Sequence, residues 1–169
     1  MRPMHGLSLV ELMIALVILS LVLAKGLPAI ADYVRNDRIR SAAEEMRDGL
    51  QTAKLEAIRR NTTVNFVRNG TGWSVVVPGV AGAADTVVIQ RPPMAREAML
   101  LATAATNTVS FTGSGRLSTA GGLTLDVSSP PQACAAQGGD ARCLRVTATT
   151  GGAIRLCDPA LPGSNPQGC

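Results

Sequence analysis

Residues 7–24 read LSLVELMIALVILSLVLA, an apolar run that begins after Gly6 and ends before Lys25. A helix of this length, at 1.5 Å per residue, is about 27 Å long and nearly spans the roughly 30 Å hydrocarbon core of a bilayer. Glu11 is the only charged residue in the run. A charge at mid-bilayer costs about 2.5–3.5 kcal/mol on insertion scales, so Glu11 requires an explanation.

Three interpretations account for this segment. A secretory signal peptide would have a small-residue cleavage site after the apolar run, but the residues there are KGLP at 25–28. A plain membrane anchor explains the length of the run and leaves Glu11 without a role. In the third interpretation, the string GLSLVEL at 6–12 resembles the class III signal of type IV pilins and pseudopilins. The glycine, the glutamate, the spacing between them and the length of the apolar run all match that signal.

The resemblance implies a role for each residue of the motif. In that family a prepilin peptidase cleaves after the glycine, here Gly6, so that residues 1–6 form a cleaved leader. The same enzyme methylates the new N-terminal amine, here on Leu7, where the family usually has phenylalanine. Glu11 is then expected to pair with the amine of a neighbouring subunit in a fibre, so that neither charge stays unpaired in an apolar core. The simpler alternative, in which Glu11 complements its own helix dipole, is worth only about 0.3–1 kcal/mol.

The composition limits what the rest of the chain can be. A length of 169 residues accommodates one domain and an anchor, and an aromatic content of 2% requires a core of aliphatic side chains. The net charge of +4 is too mild to indicate nucleic-acid binding by itself. The single histidine, His5, lies in the leader, so we expect no zinc site and no catalytic set that uses histidine. We therefore predict a protein that is not an enzyme and has no cofactor or metal.

All four cysteines lie in the last 36 residues. Their spacings lack C-x-x-C pairs, and an export-type N-terminus favours disulfides over a zinc site. Three pairings are conceivable for four cysteines. We favour Cys134–Cys143 with Cys157–Cys169, because each pair closes a short loop that contains glycine or proline.

A second helical pattern follows the apolar run. Gly26 and Pro28 are expected to kink or loosen the helix. We predict one helix from about Leu7 to Arg60, with a transmembrane or fibre-core half at 7–25 and an amphipathic half at 26–60. The amphipathic half has apolar residues every three or four positions, which are Ile39, Ala43, Met46, Leu50, Ala53 and Ala57.

Residues 61–169 change to the pattern of strands, and we predict a β-rich periplasmic domain there. NGTG at 69–72 predicts one hairpin and TGG at 150–152 predicts a second. The tail from Asp158 has no apolar period, so only a disulfide is expected to hold it. A long N-terminal helix packed on an antiparallel β-sheet domain is an α+β fold, and the helix length is typical of a pilin. Strands are predicted at 63–68, 73–77, 86–90, 108–112, 123–127, 143–149 and 153–157.

Further strings resemble the GspH/FimT family of minor pilins and pseudopilins, among them LEAIRRN at 55–61, FTGSGRL at 111–117 and RLCDP at 155–159. The resemblance implies a minor subunit that helps to initiate or cap a fibre. Its partners would be the prepilin peptidase and other major and minor pilins or pseudopilins. Before assembly it would be anchored in the bacterial inner membrane. The subunit could belong to either of two assemblies: a type IV pilus, which the RLCDP ending favours, or the pseudopilus of type II secretion.

DNA binding is a further hypothesis from the same family, because some FimT proteins bind DNA through a Gly-Arg-x-Arg pattern. The corresponding string here is GAIR at 152–155, so only Arg155 carries over. Arg142 and Arg145 lie nearby in the sequence and could supplement it. One to three arginines give weak, salt-sensitive binding. Solvated arginines on a hairpin are therefore the simpler interpretation.

Overall fold

A computed structural model describes residues 8–80, 82–93 and 101–169, with the side chains of 25–29 and 101–104 left out. Gly6 and Leu7 lie outside the described residues. The chain divides into two units, Met1–Asn36 and Asp37–Cys169, which we call the N-terminal unit and the C-terminal unit.

One helix, α1, covers Leu9–Arg60, in agreement with the predicted helix. The backbone is helical through Gly26 and Pro28, so neither residue ends the helix, and a kink at these positions stays a prediction. Among the side chains that the structure describes, no helical stretch reaches the length and hydropathy needed to cross a membrane.

In the C-terminal unit, α1 buries the apolar stripe that its sequence predicts. All six stripe residues, from Ile39 to Ala57, are exposed by 1% or less. Ala42 is also buried, and the small side chains of the buried alanines allow the helix to lie close to the strands. The predicted amphipathic pattern is therefore confirmed, because its apolar stripe lies on the side of α1 that faces the core.

In the described part of the chain, eight strands follow the helix and form two antiparallel sheets. The first sheet has the order β3-β2-β1-β5 and the second has the order β4-β6-β7-β8. The bounds are β1 Val64–Asn69, β2 Gly72–Val77, β3 Thr86–Arg91, β4 Leu101–Ala104, β5 Thr108–Phe111, β6 Leu123–Ser128, β7 Leu144–Ala148 and β8 Ile154–Cys157.

Both predicted hairpins are present. In the first, Asn69 pairs with Gly72, and Gly70 occupies the turn with a φ of 61°. Glycine adopts this left-handed conformation without the strain that a Cβ would cause. The second hairpin joins β7 to β8, and Gly152 in its turn has a φ of 82°. The sequence does not predict β4, because its Leu-Ala-Thr-Ala string contains alanines with low strand propensity.

The hydrophobic core lies within the C-terminal unit. Buried residues of α1 pack with Phe66 and Phe111 of the first sheet and with Leu125 and Val146 of the second. All residues of the described core cluster have numbers of 39 or higher. A unit with its own core is expected to fold alone, so residues 37–169 can be studied as a separate fragment.

Two disulfides close the loops near the C-terminus, Cys134–Cys143 and Cys157–Cys169. These are the pairs that the short loops favour. The tail after Cys157 is also held by polar contacts, since Asp158 is only 6% exposed and accepts a hydrogen bond from Arg142 Nε at 3.0 Å. Its backbone N–H donates to the Gln167 oxygen at 2.7 Å. The prediction that only a disulfide holds the tail is wrong. It relied on the absence of an apolar periodicity in the tail, and polar contacts such as these do not produce one.

Candidate functional site

Glu11, for which the sequence analysis predicts a role in assembly, lies in the first turn of α1. The N–H of Leu12 donates to the Ser8 oxygen at 3.1 Å, so Ser8 immediately precedes the helix. Free N–H groups and the positive end of the helix dipole make this turn favourable for a carboxylate. Glu11 is exposed, and no cation among the described residues forms an ion pair with it.

Apolar side chains surround α1 throughout the start of the N-terminal unit. The large apolar side chains from Leu9 to Leu23 are exposed by 49–73%. Full burial of one such side chain is worth about 1.5–3 kcal/mol. A helix that is apolar on all sides therefore has a strong tendency to enter an apolar environment.

Two of the three arginines proposed for DNA are paired with carboxylates. Arg145 lies on β7 and binds Asp126 of β6 through two hydrogen bonds, of 2.6 and 3.0 Å. Hydrogen bonding to Asp126 raises the pKa of Arg145. Arg142 forms an ion pair with the buried Asp158 at 3.0 Å. Each pairing neutralises a charge that would otherwise be available to a phosphate.

Arg155 is exposed, and it differs from the other two arginines in having no carboxylate partner among the described residues. It lies on β8 opposite Thr147, while Arg145 lies opposite Cys157. Since side chains alternate between the faces of a strand, Arg145 and Arg155 share the outer face of the second sheet. Arg155 forms no ion pair among the described residues. The structure therefore brings two of the three arginines to one face and leaves one of them without a carboxylate.

A charged cluster that the sequence analysis did not single out lies at the end of α1. Arg59 and Arg60 both hold Glu56, at 2.7 and 2.8 Å. Their hydrogen bonds, first from Arg59 and then from Arg60, lower the pKa of Glu56 to about 2. The spacings of three and four residues on a helix could have predicted this cluster.

The chain leaves α1 through a tight backbone turn at Asn61. Asn61 has a φ of 49°, its N–H donates to Ile58 O, and the N–H of Thr62 donates to Ala57 O, both at 3.2 Å. This pair of bonds is the Schellman arrangement that ends many helices. A Cβ on Gly113 would lie 2.7 Å from the Asn61 carbonyl carbon. Two of the strings that carry the family resemblance, 55–61 and 111–117, therefore meet at this turn.

The described residues contain no group of three or more His, Cys, Asp or Glu side chains that could hold a metal ion.

Comparison with known families identifies the class of protein. The family model described as type II transport protein GspH matches residues 42–152, more than half of the chain. The prokaryotic N-terminal methylation motif matches residues 1–24. The chain belongs to the GspH family. This family consists of structural pilin-like subunits and not of enzymes, as the sequence predicts.

Solved structures with the same fold include the type IV minor pilin FimU of Pseudomonas aeruginosa strain PAO1. In space group P21, FimU matches with a TM-score of 0.59 and 24% identity over 81% of this chain and 98% of FimU. In space group P65 the TM-score is 0.55 and the identity is 24%, over 77% of this chain and 98% of FimU. A comparison with curated protein sequences gave no significant match. The predicted α+β, pilin-like fold is confirmed.

Proposed function

We propose that this chain is a minor subunit of a type IV pilus that helps to initiate or cap the fibre. It is held in the bacterial inner membrane by residues 7–25, with its C-terminal unit in the periplasm, and later enters the fibre through the same helix. The observation that carries this proposal is the apolar surface from Leu9 to Leu23, exposed by 49–73%. A bilayer and a fibre core are the two environments that cover such a surface.

Processing precedes assembly in this proposal. The prepilin peptidase cleaves after Gly6 and methylates the amine of Leu7, and the methylation motif at 1–24 supports this step. Glu11 then pairs with the amine of a neighbouring subunit. Its place in the first helical turn, exposed and without a cation among the described residues, suits that role.

Different observations favour each of the two fibre systems to which this subunit could belong. The RLCDP ending and the disulfide-bearing tail favour the type IV pilus, and FimU, which has the same fold, is a type IV minor pilin. The description of the matching family model favours the alternative, a minor pseudopilin of type II secretion. Deletion of the gene separates the two, because loss of surface pili is expected for the first and loss of protein secretion for the second.

The role of Glu11 is tested with Glu11→Gln in the full chain. Removal of the charge is expected to leave the protein in the membrane fraction and to lower its amount in sheared fibres about tenfold, since a lost pairing of about 1.4 kcal/mol changes an equilibrium by that factor. Glu45→Gln is the matched control, because Glu45 lies on the same helix within the C-terminal unit and forms no ion pair among the described residues. Normal incorporation of the Glu11 variant would contradict the assigned role.

A further inference from the structure

The last strand of the second sheet has an edge with which no described strand pairs. The sheet order is β4-β6-β7-β8, so β8 lies at the border of the sheet and pairs with β7 alone. A border strand presents unpaired backbone N–H and C=O groups, to which another extended chain can add. The backbone of this edge therefore favours one kind of partner, a β-strand.

The hydrogen bonds of the turn between β7 and β8 show which backbone groups point to the open edge. The N–H of Thr149 donates to the Ala153 oxygen at 2.9 Å, so these two residues form a hydrogen-bonded pair. Hydrogen-bonded and non-hydrogen-bonded pairs alternate along an antiparallel ladder. In the register of β7 with β8, the backbone groups of Arg155 therefore point to β7, whereas those of Ile154 and Leu156 point to the open edge.

An extended segment already pairs with this edge at its far end. The N–H of Asp158, the next outward residue after Leu156, donates to the Gln167 oxygen at 2.7 Å. Asp158 and Gly168 also form a bridge of the parallel type. The tail thus covers the end of the edge with a β-type contact, while no described segment pairs with it at Ile154 or Leu156. The open part of the row can accept what its end already holds, an extended chain.

A groove between α1 and the start of β8 has room for side chains of an added strand. Its volume is about 360 Å³, and its lining is Gln51, Lys54, Leu55, Gly152, Ala153 and Ile154. The Nζ of Lys54 donates to the Gly152 oxygen at 2.8 Å, so this cation is used within the fold and holds the hairpin against the helix. Leu55 is 63% exposed. Since side chains alternate along a strand, every second side chain of an added strand would lie on the face of Leu55 and Ile154.

The other side chains of an added strand would lie on the outer face of the sheet, beside Arg155. Arg155 is exposed and has no carboxylate partner among the described residues. Opposite charges on neighbouring strands stabilise a sheet, whereas like charges destabilise it. The two faces of the edge therefore favour different residues, apolar ones towards α1 and acidic ones beside Arg155.

We propose that the open edge of β8 binds an extended segment of a different fibre subunit, which adds to the four-stranded second sheet as a further strand. The segment alternates apolar residues, which cover Leu55 and Ile154, with acidic residues, which face Arg155. Strand addition of this kind takes its affinity from main-chain hydrogen bonds and its specificity from alternate side chains. This inference rests on the proposed function, because the fibre supplies the neighbouring subunit.

Photo-crosslinking in cells that assemble the fibre tests the proposal. The probe is p-benzoylphenylalanine at position 55 of the full chain, on the helical wall of the groove. Position 80 is the matched control, because Val80 is 82% exposed in the same unit. We expect an adduct from position 55 to a different pilin-like subunit and none from position 80. The crosslinked peptide should alternate apolar and acidic residues.

Ile154→Pro tests the backbone contact. Proline removes an N–H that points to the open edge and leaves the ladder with β7 intact, a position at which strands tolerate it. The yield from position 55 should fall at least about threefold, because a hydrogen bond between the subunits is lost. Ile154→Val keeps the N–H and should keep the yield. Arg155→Glu leaves the backbone unchanged and should lower the yield at least about twofold, which gives a test that does not depend on the proline variant.

A third probe, at position 16, separates failure of the strand addition from failure of the fibre function. Leu16 is 56% exposed in the apolar run. An adduct from position 16 without one from position 55 would overturn the strand addition and leave the fibre function standing. The absence of both would contradict both proposals. Equal yields at positions 55 and 80, an adduct from position 55 to a second copy of this chain, or a yield that Ile154→Pro or Arg155→Glu leaves unchanged would also overturn the inference.

Discussion

Gly49 sets how closely α1 approaches the first sheet. A Cβ at this position would lie 2.7 Å from two ring atoms of Trp73 and 2.8 Å from the ring of Phe66. These two rings lie 5.9 Å apart, and both are buried. The helix therefore needs a residue without a side chain here, although glycine is a poor helix former.

Gly49→Ala is expected to lower the free energy of unfolding of the C-terminal unit by about 1–3 kcal/mol, the usual cost of overpacking. Helix propensity alone would favour the variant by about 0.5–1 kcal/mol, so the sign of the change is informative. Urea unfolding measures it. Gly163→Ala is the control, because nothing lies within 4 Å of a Cβ there. A Gly49→Ala variant as stable as the wild type would refute the close contact.

Glu56 links charge to stability at the end of α1. Its pKa falls from the ordinary 4.5 to about 2 through hydrogen bonds from Arg59 and Arg60. Because the folded state lowers this pKa, the stabilisation is complete above pH 4.5 and is lost as the pH falls through about 2. Both arginines are more than one third exposed, so solvent reduces the gain to less than about 1 kcal/mol.

Glu56→Gln is therefore expected to destabilise the C-terminal unit by less than about 1 kcal/mol at pH 7. The difference from the wild type should shrink below pH 4.5 and vanish only at a pH below about 2, where both proteins have a neutral side chain. Denaturant unfolding at several pH values measures this. A difference that persists unchanged at pH 2 would show that packing, and not charge, accounts for the effect.

Arg155 tests the DNA hypothesis at the level of one residue. Because Arg142 and Arg145 are paired with carboxylates, we expect the C-terminal unit to cause no mobility shift of duplex DNA at about 0.15 M salt. A shift at that salt concentration that Arg155→Ala abolishes would establish DNA binding in spite of these pairs.

At the level of elements, the tail depends on Asp158. This carboxylate accepts hydrogen bonds from Arg142 Nε at 3.0 Å and from the N–H of Ala160 at 2.9 Å. Asp158→Ala leaves both donors without their acceptor and should lower the free energy of unfolding by about 1–3 kcal/mol. Thermal unfolding measures the change, with the exposed Asp140→Ala as control. Equal stability of the two variants would leave the disulfide as the main support of the tail.

Local patterns explain which elements the sequence predicts. The stripe from Ile39 to Ala57 and the turn at Gly70 depend on near neighbours in the chain, so periodicity and turn chemistry reveal them. The division into two sheets depends on pairings such as β1 with β5 and β4 with β6, between strands that are distant in sequence. Such pairings are set by packing, which a single sequence does not display.

For the candidate site too, the sequence predicts local features and does not predict contacts between distant residues. The methylation motif can be recognised from the sequence alone, because Gly6, Glu11 and the apolar run are close together in the chain. The carboxylate partners of Arg145 and Arg142 lie 19 and 16 residues away. Only the fold shows that these arginines are already paired with carboxylates.

At the level of the whole molecule, the two units differ in whether their apolar side chains are buried or exposed. The C-terminal unit contains the described hydrophobic core, whereas the N-terminal unit buries none of its described side chains. In the proposed function, a membrane or a fibre core covers the apolar surface of the N-terminal unit. The proposed function therefore depends on cleavage and methylation at the N-terminal motif.

Mass analysis of the N-terminus tests this claim most directly. The full chain is produced together with a prepilin peptidase, with Gly6→Val as the variant that the enzyme should not cleave. We predict that residues 1–6 are lost from the wild type, that Leu7 becomes an N-methylated first residue, and that the variant keeps its leader. A wild-type chain that keeps Met1–Gly6 in the presence of an active peptidase would contradict it.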